Sequence, residues 1–284
     1  MKLHRETAEI FVPDGAPVEA ALARTTHMAV GAHQDDLEIM AFDGILKGFQ
    51  CDTCWFTGVV VTNGAGSPRA DLYSDYTDEQ MQVVRRREQK KAAVIGEYGA
   101  QVLLDYPSAV LKDSADPAPV EDLCALFELA RPEIVYTHNL ADKHDTHVAV
   151  TLRVIEALRR LPAVMRPKHL YGCEVWRDLD WMVDTDKVAF DVSTHQGLQA
   201  ALLGVFDSQV CGGKRYDLAT MGRRQANATY FASHDTDTAT GLIFAMDLTP
   251  LLEDSTLSIV AYAQGFITRL AQDVTARIQR FGGR

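Results

Sequence analysis

Two short stretches of the sequence concentrate side chains that bind metal ions or move protons. The first, His33-Gln34-Asp35-Asp36, places an imidazole and two adjacent carboxylates directly after an apolar run. The second, from His138 to His147, holds three histidines and two aspartates in ten residues. Zinc takes His nitrogen and carboxylate oxygen as ligands, and a catalytic zinc keeps three protein ligands beside an open position for water. Taken alone, the first stretch is better explained as a helix start, because Asp is a favoured N-cap residue.

The elements around the two stretches are expected to bring them together. An apolar strand precedes each stretch, and an apolar helical period follows each, from Leu37 and from Val148. In an open α/β sheet, ligands bind at the carboxyl ends of the strands, and neighbouring parallel strands bring their turns to the same edge. Each stretch therefore supports the other, and together they favour a metal site over helix capping.

Strands and helices alternate through much of the chain. Trp55 to Val61 is a continuous apolar and β-branched run, the pattern of a strand buried on both faces of a parallel sheet. We predict an α/β fold, with a Rossmann-like, mostly parallel sheet flanked by helices, in a single domain over residues 1–284. This domain comprises an N-terminal extension over 1–26, a core over 26–210 and a less regular, variable C-terminal portion over 211–284.

Composition argues against several classes of function. The formal net charge is −11 and the isoelectric point is near 5.2, whereas a general nucleic-acid binder needs a basic face. The sequence shows no apolar run of membrane-spanning length and no signal-peptide core, so we expect a cytoplasmic protein. Cys51 and Cys54 have the spacing of a redox or zinc pair, but no second pair completes a four-sulfur site. The glycine-rich turn at 63–67 lacks a dinucleotide or phosphate-loop fingerprint.

The end of the chain carries a long amphipathic stripe. Its apolar members recur at helical spacing and are Val260, Ala263, Ile267, Leu270, Val274 and Ile278. This stripe predicts a helix packed on the body of the protein or on another subunit, which leaves a homo-oligomer open.

The two stretches carry a family resemblance. The strand ending in Ala32-His33-Gln34-Asp35-Asp36, followed by Asp142-Lys143-His144-Asp145-Thr146-His147, resembles the PIG-L (LmbE-like) family of zinc-dependent N-deacetylases. The hallmarks of that family are an Ala-His-Pro-Asp-Asp motif and a His-Pro-Asp-His motif. Further similarity spans about residues 26 to 210 and includes the segments 85–88, 105–107, 131–139, 190–193 and 207–209.

The resemblance implies a role for each matching residue. It implies one zinc ion per chain, bound by His33, Asp36 and His147. Asp35 matches the general base of the family, and His144 matches its general acid or oxyanion stabiliser. Arg85 aligns with an arginine that contacts the substrate.

The sequence departs from the family motifs at two places. Gln34 replaces the proline of the first motif, and Asp145-Thr146 replaces Pro-Asp in the second. The carboxylate beside the ligand histidine is therefore shifted or lost, although such a group tunes metal affinity from the second coordination shell. Asp145, Asp142 or a main-chain carbonyl are the alternatives for this role.

The expected function is a zinc-dependent hydrolase that removes an acyl group, foremost acetyl, from an amide nitrogen. The expected substrate is a small molecule, an N-acetyl amino sugar or a related glycoconjugate. A metal-dependent amidase acting on a non-sugar metabolite is one alternative. A metal-binding or ligand-binding protein that kept the fold and lost turnover is the other.

Overall fold

A computed structural model describes the fold of residues 1–283. Within this range the chain forms one sheet of eight strands, in the order β1-β4-β3-β2-β5-β6-β8-β7. The strands are β1 Glu9–Phe11, β2 His27–Gly31, β3 Phe56–Thr62, β4 Ala100–Tyr106, β5 Ile134–His138, β6 His169–Cys173, β7 Lys187–Asp191 and β8 Leu242–Asp247. The five central strands from β4 to β6 are parallel, and β1, β7 and β8 pair antiparallel. The predicted α/β fold with a mostly parallel sheet is confirmed.

Helices cover both faces of this sheet. They are α1 Val18–Ala23, α2 Asp36–Met40, α3 Phe42–Gly48, α4 Asp78–Ile95, α5 Ser108–Lys112, α6 Ala118–Ala130, α7 Asp145–Arg160, α8 Gln196–Gly204, α9 Asp207–Val210, α10 Tyr216–Tyr230, α11 Pro250–Glu253 and α12 Ile259–Arg280. The protein has two hydrophobic cores. Side chains of β2 alternate between them, with Met28 and Val30 in one and Ala29 in the other. All seven residues of β3 are buried, as its uninterrupted apolar run predicts for a central parallel strand.

The C-terminal helix α12 is largely exposed. Among its side chains Phe266 is buried, whereas Val260 is 64% exposed and Ile278 is 54% exposed. The body of the protein therefore leaves much of the predicted apolar stripe uncovered, and packing against another subunit stays a prediction. Within residues 1–283, no helix combines the length and the apolar composition needed to cross a membrane.

Candidate metal centre

Two neighbouring parallel strands position the candidate centre. Strand β2 ends at Gly31, and the following turn leads into α2 at Asp36. Strand β5 ends at His138, and its loop leads into α7 at Asp145. Because β2 and β5 pair directly, both turns lie at one edge of the sheet. The predicted juxtaposition of the two stretches is confirmed.

Three side-chain atoms from these turns form a compact triangle. His33 Nδ1 lies 3.2 Å from Asp36 Oδ2 and 3.2 Å from His147 Nε2. The third side, from His147 Nε2 to Asp36 Oδ2, measures 3.5 Å. A tetrahedral zinc ion with ordinary bond lengths holds its ligand atoms about 3.3 to 3.5 Å apart. The three spacings are therefore close to those on one face of a zinc coordination sphere.

His138 lies beside this triangle, and no specific role for it was predicted from the sequence. Its Nε2 atom is 3.3 Å from Asp36 Oδ2, so Asp36, His138 and His147 form a second, overlapping group of metal-ligand type. The same Nε2 atom accepts a hydrogen bond from the Ala32 amide at 2.8 Å, which occupies its lone pair. Burial lowers the pKa of His138 to about 4, so its imidazole is neutral, and its ring stacks on His147 at 3.8 Å. The His138 ring therefore packs against His147, with its Nε2 atom engaged by the Ala32 amide.

The Asp142 carboxylate contacts the ring nitrogen of His147 that lies away from the triangle. Its Oδ2 atom lies 3.1 Å from His147 Nδ1, and its Oδ1 atom accepts a hydrogen bond from the His144 amide at 2.9 Å. Burial disfavours the charged imidazole, but Asp36 and Asp142 outweigh it and raise the pKa of His147. Asp145 is exposed at the first position of α7. Among the sequence alternatives for the supporting carboxylate, the contacts favour Asp142.

Asp142→Asn is expected to weaken zinc binding by about 10- to 100-fold, the usual effect of losing a carboxylate that orients a ligand histidine. The matched control is Asp145→Asn, which removes the same charge three residues away and should leave the zinc dissociation constant unchanged. Competition with a coloured chelator measures both constants. Equal zinc affinities in the two variants would contradict the assignment of Asp142 as the supporting group.

Asp35 lies at the start of α2 in a strained backbone conformation. Its φ of 101° is unusual for a residue with a side chain, a cost that functional sites often carry. The carboxylate is buried, with Oδ2 3.6 Å from Arg85 Nη2. Burial raises the pKa of Asp35 well above its usual range, Asp36 adds to this effect, and Arg85 opposes it. A divalent cation on the adjacent triangle would favour the ionised form of this carboxylate.

A buried polar network lies beneath Asp35. Gln89 Oε1 faces the Asp35 amide at 3.4 Å, and Gln89 Nε2 donates to Glu38 Oε1 at 2.8 Å. The Tyr98 hydroxyl donates to the same Glu38 oxygen at 2.7 Å. Burial raises the pKa of Glu38 from 4.5 to about 7. This network ties the strained turn to α4 and to the core.

The raised pKa of Glu38 predicts a pH dependence of stability in the zinc-free protein. The folded state binds this proton more tightly than the unfolded state, so the free energy of unfolding falls as pH rises from about 4.5 to about 7. The contribution is about 3 kcal/mol in total. Urea unfolding of wild type and of Glu38→Gln at about pH 5 and about pH 7 should give a smaller pH change in the variant. The same pH change in both proteins would contradict the shifted pKa.

His144 stands at the N-terminus of α7 between the triangle and an indole ring. Its imidazole is edge-on to His33, with ring centroids 5.0 Å apart, and stacks on His147 at 4.6 Å. On its other side, Trp176 lies parallel to it at 6.4 Å. Burial lowers the pKa of His144, and the neighbouring His147 and His33 add to this effect. At neutral pH the ring is therefore uncharged and carries a single N–H donor.

The side chains of the candidate centre line one cavity of about 390 Å³. All six residues singled out from the sequence line it, namely His33, Asp35, Asp36, Arg85, His144 and His147. Arg85 is buried, and its guanidinium donates to the Gln34 carbonyl and to the Ser67 hydroxyl. Lys214 and Tyr216 also line the cavity, although no local motif in the sequence connects them with the two stretches.

Comparisons with known proteins agree with this architecture. The family model described as PIG-L: GlcNAc-PI de-N-acetylase matches residues 28–158, which include both stretches. A conserved protein of Thermus thermophilus superposes with a TM-score of 0.62 at 18% identity, over 82% of this chain and 99% of that chain. No curated protein sequence matches the chain.

Two further solved structures share the fold and carry different activities in their names. The 4-carboxy-2-hydroxymuconate hydratase of Pseudomonas putida gives a TM-score of 0.59 at 18% identity, over 79% of this chain and 96% of that chain. The N,N'-diacetylchitobiose deacetylase of Pyrococcus horikoshii gives 0.58 at 14% identity, over 78% of this chain and 83% of that chain. At these identities the likeness establishes the fold, and the reaction has to be argued from the site.

Proposed function

Because residues 28–158 carry a PIG-L domain, we propose that this protein is a zinc-dependent hydrolase that removes an acyl group from an amide nitrogen. The expected acyl group is acetyl, and the expected substrate is an N-acetyl amino sugar or a related small molecule. The observation that carries this proposal is the triangle of His33 Nδ1, Asp36 Oδ2 and His147 Nε2, with sides of 3.2, 3.2 and 3.5 Å, at the wall of a cavity that also holds Asp35.

The proposed ligand Asp36 has the charge state that metal binding requires. Burial acts against the charged form of Asp36, but neighbouring histidine groups, above all His147, outweigh it and keep the pKa of this carboxyl well below its usual range. Asp36 is therefore ready as an anionic ligand. Zinc held here would polarise the acyl carbonyl and lower the pKa of a water molecule.

We propose Asp35 as the general base, a role supported by its position in the cavity lining beside the triangle. Its carboxylate takes a proton from water as the water oxygen attacks the acyl carbon. The N–H of a neutral His144 ring is suited to stabilise the negative charge that develops on the acyl oxygen. The carbon–nitrogen bond then breaks, and the proton held by Asp35 passes to the departing amine. The products are a carboxylic acid and a free amine.

This assignment refines the role of His144. The sequence left it as either a general acid or an oxyanion stabiliser. Its lowered pKa favours the neutral ring, which supports the role of hydrogen-bond donor to the acyl oxygen. Arg85 supports the base, since its guanidinium lies 3.6 Å from the Asp35 carboxylate.

Acetate release by the zinc-loaded protein tests the proposal. A panel of N-acetylated sugars and N-acetylated non-sugar amines should include compounds from which acetate is freed together with one equivalent of amine. Release confined to the non-sugar amines would support the amidase alternative. Tight zinc binding without release from any compound would contradict a hydrolase and favour a ligand-binding protein.

A further inference from the structure

The cavity carries an unexpected excess of positive charge away from the triangle. The chain as a whole holds 39 acidic and 28 basic side chains. Among the described residues that line the cavity, however, Asp35 and Asp36 are the only acidic ones, and both belong to the candidate metal centre. Lys112 from α5 and Lys214 from the segment before α10 line the same cavity. The lining thus differs in sign from the rest of the protein.

A second lysine accompanies Lys214 at the indole of Trp176. Lys214 Nζ lies 5.5 Å from the centre of this ring, and Lys143 Nζ lies 5.6 Å from it. Within residues 1–283, neither lysine, nor Lys112, has a carboxylate oxygen at ion-pair distance. Lys143 and Lys214, which share the Trp176 ring, repel each other, and a bound anion relieves that repulsion.

The stack of aromatic rings relates these lysines to the reacting groups. The Trp176 ring stacks on His144, and His144 stacks on His147 of the triangle. Lys143 and Lys214 lie against the indole that ends this stack. A molecule whose acyl group lies at the triangle can therefore extend past His144 and present a second group to the lysines.

Arg85 adds a third cationic side chain to the lining. Its side chain is buried and lines the cavity, and its guanidinium lies 3.6 Å from the Asp35 carboxylate. The lining therefore holds a guanidinium beside the candidate metal centre as well as the ammonium groups of Lys112 and Lys214.

We propose that Lys112, Lys214 and Lys143 form a subsite for an anionic group, a carboxylate or a phosphate, on the molecule that is deacylated. The substrate class is then an acylated amine that carries a negative charge, rather than a neutral sugar. The placement of the acyl group at the triangle rests on the proposed function. Lysine ammonium groups act as point charges, so they accept either anion, and a cavity of about 390 Å³ admits a molecule of monosaccharide size.

Binding of the amine products tests this subsite without requiring turnover. The charged probes are glucosamine 6-phosphate and muramic acid, which present a phosphate and a carboxylate, and glucosamine is the neutral reference. Calorimetry on the zinc-loaded protein should give at least one charged probe that binds about tenfold more tightly than glucosamine. Which probe does so distinguishes the two anions.

Variants assign that preference to the lysines. The double variant Lys112→Met with Lys214→Met should lower the ratio of charged to neutral affinity by about tenfold. The control replaces Lys91 and Lys168, exposed lysines outside the cavity, with methionine; it makes the same change in net charge and should keep the ratio. A wild-type ratio near one, no binding of either charged probe at millimolar concentration, or an unchanged ratio in the double variant would overturn the subsite. A preserved ratio without acetate release would instead count against the proposed reaction.

Discussion

Asp35→Asn is expected to retain zinc and to lower kcat for acyl release by about 10²- to 10⁴-fold, the range for loss of a general base. The substitution keeps the size of the side chain but removes its ability to accept a proton from water. Asp35 is not one of the three atoms of the triangle, so metal content should remain close to wild type. Steady-state acetate release, with zinc analysis of the same samples, measures both effects.

Asp105→Asn provides a matched control for this experiment. Asp105 also has a positive φ, of 62°, and its carboxylate pairs with an arginine, Arg86, at 2.8 Å. It does not line the cavity. This variant should keep the wild-type rate. A wild-type rate in Asp35→Asn, or equal losses in both variants, would reject Asp35 as the base.

His147→Ala is expected to remove the metal ion and, with it, the activity. The substitution leaves two of the three proposed ligands, and we expect zinc affinity to fall by more than the roughly 100-fold that loss of a supporting group can cause. His33→Ala should behave in the same way. Zinc content after dialysis, measured by mass spectrometry, checks the expectation.

Two further histidine variants make this metal experiment decisive. His234→Ala removes an exposed imidazole outside the cavity and should leave zinc content unchanged. His138→Ala should lose less zinc than His33→Ala, since the His138 Nε2 atom is occupied by the Ala32 amide. The reverse order would contradict the triangle and make Asp36, His138 and His147 the ligand set.

The sequence predicts the positions of the two stretches because their placement depends on few conditions. Each stretch follows a strand, and β2 and β5 are neighbours in a parallel sheet, so their turns meet at one edge. Within the first stretch, His33 and Asp36 are three residues apart, and their contact is fixed by one turn. Such local relations depend little on the rest of the chain.

The choice among similar residues in the second stretch depends on tertiary contacts. His138 and His147 are both buried histidines near Asp36, and a main-chain amide from the turn after β2 decides which lone pair stays free. Asp142 and Asp145 are equally plausible in sequence, but only the path of the loop brings Asp142 to His147 Nδ1. Lys214 lines the cavity although it belongs to a segment far away in sequence, and no sequence periodicity predicts this position.

The C-terminal helix illustrates a further limit of pattern reasoning. The apolar stripe of α12 predicts the helix itself, and the structure contains it over Ile259–Arg280. The pattern does not specify what covers the stripe. In the folded chain Ile267 remains 49% exposed and Val274 remains 46% exposed.

Zinc-dependent acetate release is the most direct test of the central claim. Protein stripped of metal by a chelator is titrated with zinc, and acetate release from an N-acetylated amine is followed at each step. The account predicts that activity rises with added zinc, levels off at one zinc per chain, and stays absent in His33→Ala throughout. Equal acetate release by the stripped and the zinc-loaded protein, or full activity in His33→Ala, would contradict it.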